Sequence, residues 1–174
     1  MQEINLNSVL GDGILTDEIL LKTPGYKPQA CDSKNCPVAL IECVQTIPCN
    51  PCETVCPSGA ITVGDPITNL PVIDTDACVG CGICVAACPG LAIFMVDKSI
   101  GGDEATVSFA FEYLPVPGEG DAVKAVDRSG KAVCDAIVEK VASIQNYDMT
   151  KVVTIRIPLE YAGTVRGIKR GKGE

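Results

Sequence analysis

Apolar and polar positions alternate most regularly in the second half of the chain. Val107, Phe109, Phe111 and Tyr113 alternate with Ser108, Ala110 and Glu112, the period of two that turns one face of a strand toward a core. Val152-Val-Thr-Ile-Arg-Ile157 reads as another strand, stopped by Pro158, which has no amide to continue a ladder. Between them, Ala122 to Val126, the turn Asp127-Arg-Ser-Gly130, and Lys131 to Val141 fit a hairpin, although Val133, Ile137 and Val141 would also share one helical face. Asn146-Tyr-Asp-Met-Thr150 is a turn, and Leu159 to Gly167 reads as a short helix. Asp127 and Arg128 are assigned to their turn alone, and Arg166, Lys169, Arg170 and Lys172 give the chain a basic end.

The first half is patterned differently. Ile4, Leu6, Val9 and Leu10 precede a Gly11-Asp12-Gly13 turn, and Thr16 with Asp17 could cap one helical turn before the Pro24-Gly25 break. Residues 1–30 are therefore expected to form an arm. Further on, short β-rich runs around Ile61 and Val72 flank a Gly64-Asp65-Pro66 turn and predict a hairpin, while Leu91 to Val96 predicts a strand. Gly101-Gly102-Asp103-Glu104 reads as a linker.

Composition changes this picture through its cysteines. The 174 residues include 11 cysteines and no histidine, which excludes histidine-based acid–base catalysis, Rieske ligation and histidine-ligated haem. The chain has no G-x-G-x-x-G fingerprint for a dinucleotide and no catalysis is expected from it alone. Residues 1–100 carry 11 acidic against 4 basic side chains, and residues 101–174 carry 11 against 10. The acidic excess in the cysteine-rich part disfavours nucleic acid and suits a basic protein partner. The first 30 residues show no secretory or twin-arginine pattern, and no apolar run is long enough to span a membrane. A reducing cytoplasm, with thiolates committed to metal, is the expectation.

Cys78-Val-Gly-Cys81-Gly-Ile-Cys84-Val-Ala-Ala-Cys88-Pro89 has the C-x2-C-x2-C-x3-C-P spacing of an iron–sulfur loop. Three closely spaced thiolates suit one [4Fe–4S] cube, and Gly80 and Gly82 let the backbone curl around it with amides toward the sulfurs. An internal repeat lies 32 residues upstream, since Cys49 matches Cys81, Cys52 matches Cys84, Cys56-Pro57 matches Cys88-Pro89, and Ala60-Ile61 matches Ala92-Ile93. The repeat breaks at Thr46, which stands where Cys78 predicts a cysteine. Cys43 is the nearest upstream thiol, and its longer loop can still reach. Cys36, Cys31, or no fourth ligand and a [3Fe–4S] cluster are the alternatives. Otherwise Cys31 and Cys36 read as free structural thiols, and Cys134 as a small buried hydrophobe.

Residues 43–96 resemble the bacterial dicluster ferredoxins, with Asp74-Thr75-Asp76 like the acidic stretch that enters their second cluster loop. The resemblance implies crossed ligation: Cys43, Cys49, Cys52 and Cys88 on cluster I, and Cys78, Cys81, Cys84 and Cys56 on cluster II. The fold expected is α+β, with the arm at 1–30, a ferredoxin-like dicluster domain at 31–100, and a small β-rich, barrel-like module with a basic tail at 101–174.

Three stretches are also similar to the ferredoxin-type subunits of FAD-dependent amino-acid or amine dehydrogenases: Glu42-Cys43 to Glu53, Leu114-Pro115 to Gly130, and Val152 to Arg166. That resemblance implies an electron-transfer subunit relaying single electrons within a larger oxidoreductase, a hetero-oligomer whose FAD sits in a partner flavoprotein. The alternatives are a free ferredoxin-type carrier and a zinc-stabilised protein-interaction module.

Overall fold

The computed structural model describes residues 13–143 and 149–170. The Gly11-Asp12-Gly13 turn and most of the 146–150 turn fall largely outside them, as does Lys172. The backbone framework is an antiparallel sheet of seven strands in the order β1-β4-β5-β8-β7-β6-β9. These strands are β1 (Val38–Ile41), β4 (Ile93–Asp97), β5 (Glu104–Phe111), β6 (Ala122–Val126), β7 (Ala132–Ser143), β8 (Lys151–Pro158) and β9 (Gly167–Ile168). A separate hairpin joins β2 (Ile61–Thr62) to β3 (Val72–Ile73). The helices are single turns: α1 (Asp17–Leu20), α2 (Ala30–Ser33), α3 (Pro51–Thr54) and α4 (Ile83–Ala87).

Alternation decides which residues each face of the sheet buries. On β5, Ala105, Val107, Phe109 and Phe111 turn to one side, where Val153, Ile155 and Ile157 of β8 meet them. Val38 and Leu40 of β1, Val96 of β4, and Leu20 and Tyr26 from the arm complete that core. The opposite face carries Ala39 and Ile41 of β1 with Ile93 and Met95 of β4, packed on Val85, Ile61, Ile73 and four partly buried cysteines. Strand β1 is buried on both faces. It works as a wall between the two cores, which explains why Val38-Ala-Leu-Ile41 is continuously apolar rather than alternating.

Several expectations change in detail. Lys131 to Val141 is strand, not helix: Ala136 and Val138 are buried and Ile137 is 40% exposed, and a register shift between Val138 and Lys140 accommodates an extra residue. Tyr113 lies beyond the end of β5. The segment after Pro158 makes only one 3-10 turn, Leu159–Tyr161, before β9. The sheet is open and not a barrel, with β1 and β9 as its edges. Strand β9 is only two residues long and its register pairs it with β6, which leaves no ladder on which β1 could close. Glu42, directly after β1, meets Arg166, directly before β9, at 2.6 Å, so side chains join the two edges that no ladder connects. Arg166 is consequently buried, 7% exposed, and is not part of a basic surface.

Candidate metal centre

Two loops and two strand ends carry the cysteines of the repeat. Cys43 leaves the end of β1, Cys49 and Cys52 flank the start of α3, and Cys56 follows it. Cys78 and Cys81 precede α4, Cys84 lies within it, and Cys88 ends it. Pro51 opens α3 at a position where its missing amide costs no bond. Gly82 (φ 75°) caps α4 in the left-handed region, and Gly80 (φ 70°) shares that conformation. At Gly80 a Cβ would also stand 2.7 Å from the Pro37 carbonyl oxygen, so the loop closes against the chain before β1 only without a side chain.

Polar contacts fix the remaining loops. Asp74 accepts hydrogen bonds from the amides of Asp76 and Ala77, at 2.9 and 3.2 Å, while its carbonyl accepts from the Cys78 amide at 3.2 Å. The Glu53 carboxylate accepts from the amides of Val63 and Gly64 at 3.1 and 3.2 Å, tying α3 to the β2–β3 hairpin.

The side chains gather in two sets. Cys43, Cys49, Cys52 and Cys88 line one cavity together with Ile41, Val44, Ile47 and Pro89. Cys56, Cys78, Cys81 and Cys84 line a second, with Ala39, Ile61, Gly82 and Met95. Cys31 lies in the core on the other side of the sheet, and Cys36 lines neither of these cavities. Cys134 is half-buried against the far core. The two sets lie near one another, since α3 packs against α4 and Cys52 of the first set acts on Cys84 of the second.

Electrostatics couple the thiols to one another. Burial pushes the Cys84 thiol up to about 12, with Cys78, Cys81, Cys56 and Cys52 raising it further. Cys52 is pushed up to about 11 by burial and then by Cys88, Cys43 and Cys49. Burial also raises Cys43, assisted by Cys88 and Cys49. Four thiolates so confined repel one another and call for a cationic core between them. Cys56 differs. Burial acts upward on it, but hydrogen bonding to Ser58 and to the amides of Ile61, Ala60 and Ser58 outweighs burial and holds its thiol below the ordinary value.

Beside Cys43 sits a group that the sequence reading missed. Glu42, 5% exposed, accepts hydrogen bonds from Arg128 Nε (2.9 Å) and Nη2 (2.7 Å) and from Arg166 Nε (2.6 Å). Both arginines also donate to the Tyr26 hydroxyl, at 3.3 and 3.4 Å. Burial opposes ionisation of Glu42, yet the Arg128 and Arg166 guanidiniums hold its carboxyl below the usual range. Arg128 thus does more than make a turn, while Asp127 does make it, accepting from the amides of Ser129 and Lys131. A glutamate inside the apolar run Val38 to Val44 was the available signal, since a buried carboxylate demands a partner.

The donor set is all thiol. Among the described residues, no three Cys, Asp or Glu side chains close on a single-ion site, and the cysteines instead surround two cavities. Among the described residues, no helix is long and apolar enough to cross a membrane.

Comparison with known proteins bears on the second loop most directly. Residues 71–94 match the family of 4Fe-4S binding domains. The chain is 40% identical over 68 residues to an uncharacterized ferredoxin of Methanocaldococcus jannaschii, covering 39% of this chain and 37% of that one. It is 46% identical over 48 residues to the polyferredoxin-like subunit of an aliphatic sulfonate oxidoreductase of Pyrococcus furiosus, covering 28% and 27%. It is 48% identical over 50 residues to a subunit of an ion-translocating oxidoreductase complex of Methanosarcina acetivorans, covering 29% and 18%. The chain spans well under half the length of these curated relatives. No solved structure matches it. With its C-x2-C-x2-C-x3-C-P loop set against the sheet, the chain carries a 4Fe–4S ferredoxin domain and has ferredoxins and polyferredoxin-like subunits as relatives.

Proposed function

We propose that this chain is an electron-transfer subunit that holds two [4Fe–4S] clusters and relays single electrons within a larger oxidoreductase. The observation that carries the reading is the pair of neighbouring four-thiol cavities. Cys43, Cys49, Cys52 and Cys88 would hold one cluster, and Cys78, Cys81, Cys84 and Cys56 the other. When bound, each cluster accepts and releases one electron without making or breaking a substrate bond. The protein's part is to confine the thiolates, supply amide hydrogen bonds to their sulfurs, and keep the two centres close. The amides of Ala60 and Ala92 donate to Cys56 Sγ and Cys88 Sγ at 3.2 and 3.4 Å. Such bonds stabilise the more negative, reduced state.

The partner we infer is a cytoplasmic flavoprotein that carries FAD, in a hetero-oligomer with this chain. That inference leans on the resemblance of Glu42–Glu53, Leu114–Gly130 and Val152–Arg166 to dehydrogenase subunits, and on the oxidoreductase-complex subunits among the relatives. Residues 31–100 would serve as the cluster-bearing part and 101–174 as the partner-facing part.

Anaerobic purification with iron and zinc analysis tests the central claim. The expected protein is brown, with about eight irons per chain, as two four-iron clusters require, and with two reducible EPR signals. A colourless protein containing zinc would overturn it in favour of a structural metal module. Cys43→Ser is expected to lose one cluster or convert it to a three-iron form; two intact [4Fe–4S] signals in that variant would remove Cys43 from the ligand set. Co-purification with a flavin-containing subunit tests the partner.

A further inference from the structure

The two halves of the repeat match closely where each final cysteine turns back toward the sheet. The Gly59 amide bonds to the Cys56 carbonyl at 3.2 Å and the Leu91 amide to the Cys88 carbonyl at 3.1 Å. Gly59 and Leu91 share the left-handed conformation, φ 64° and 51°, and the Ala60 and Ala92 amides reach the two sulfurs alike. The polar difference in this turn lies at the residue after proline. Ser58 places its hydroxyl oxygen 3.7 Å from Cys56 Sγ, whereas the equivalent position is Gly90, with no hydroxyl to offer.

We propose that the Ser58 hydroxyl, absent at Gly90, holds the reduction potential of the cluster on Cys56 above that of the cluster on Cys88. The proposal rests on the two-cluster ligand reading above. A ligating thiolate has no proton to give, so Ser58 must be the donor, and its bond withdraws negative charge from the sulfur. Reduction adds one negative charge to the cluster, so the bond favours the reduced form and raises the potential. The Ala60 and Ala92 amide bonds act on both halves and largely cancel, while the further amide contacts of Ser58 and Ile61 on Cys56 act in the same direction as the hydroxyl. Exposure points the same way, since Cys81 of the Cys56 set is exposed while the thiols of the other set are all at least partly buried, and solvent favours the more charged state. The first electron supplied by dithionite therefore rests on the Cys56 cluster.

The test is an EPR-monitored redox titration of the full-length holoprotein, with iron counted in each sample. Wild type is expected to show two one-electron waves and about eight irons. A single wave, or half that iron, overturns the two-cluster reading itself. With both waves present, Ser58→Ala should lower the upper wave and leave the lower one in place. Ser58→Thr, which keeps a hydroxyl, should leave both. Gly90→Ser supplies the converse: a Cβ there stands 4.0 Å from Cys88 Sγ, an ordinary contact, and its hydroxyl should raise the lower wave. Each single exchange narrows the gap between the waves. Waves that stay put in both Ser58→Ala and Gly90→Ser, or a gap that widens, overturn the proposal. Should Ser58→Ala fail to retain its iron, Gly90→Ser decides alone.

Discussion

The two cysteine loops reach similar ends by different supports. The second loop is self-organised: Cys78, Cys81 and Cys84 follow one another on short gaps, Gly80 and Gly82 supply left-handed turns, and Asp74 braces the entry. The first loop has no such compact run. Its Cys43 directly follows Glu42 at the end of a strand buried on both faces, and Val44 to Pro48 bridge the five-residue gap to Cys49. A thiol delivered by a sheet needs no tight loop around it. The extra residues are tolerated because the positioning has moved from local backbone to tertiary contacts, here the Glu42–Arg128–Arg166 cluster.

That contrast predicts where each half breaks. Arg166→Met leaves Glu42 buried with part of its pairing gone, which typically costs about 3–5 kcal/mol. Denaturant unfolding should show that loss, and the remaining protein should release iron first from the Cys43 set. Equal release from both sets would mean that the clamp supports the whole sheet and not the first loop. Gly80→Ala acts on the other half. Left-handed backbone costs a residue with a Cβ roughly 1–2 kcal/mol, and contact with the Pro37 oxygen at 2.7 Å adds to it; the Cys78 set should then lose iron preferentially.

A pH series sharpens the same distinction. Glu42 is held below the usual carboxylate range, so its stabilisation is complete above the ordinary glutamate value of about 4.3. It is lost as pH falls through the folded value. The difference in thermal midpoint between wild type and Glu42→Gln should therefore be largest near neutrality and shrink in acid. A pH-independent difference would show that Glu42 contributes by packing alone. The smallest effect belongs to Gly59→Ala, where no atom lies within 4 Å of the added Cβ. Only the φ of 64° is strained, for roughly 1 kcal/mol, and Leu91 already bears the matching strain in the other half.

Local chemistry made much of this legible from sequence. The period of two at Val107–Phe111 gave β5, the Asp127–Gly130 turn gave the β6–β7 hairpin, and the cysteine spacing marked the loop that matches a 4Fe-4S binding domain. Long-range placement was not legible. Arg166 looks like part of a basic tail until β9 carries it back to Glu42, 124 residues away. The sheet could not be read as open, because the shortness of β9 is set by where its pairing with β6 stops and not by a turn or a repeat. The Cys56–Ser58 contact was likewise invisible, since aligning the repeats by their cysteines draws attention to what they share.

The Glu42 clamp also has a consequence for synthesis. All eight repeat cysteines have been made once residue 88 is added, but Arg128 comes 40 residues later and Arg166 another 38 after that. Until then the carboxylate beside Cys43 has no guanidinium to meet, and the wall that presents that thiol is unfinished. A nascent or truncated chain ending before residue 166 would hold its full complement of repeat cysteines while lacking the last clasp beside the first of them, so under the proposed ligand set loading of that site would wait on completion of the far edge of the sheet.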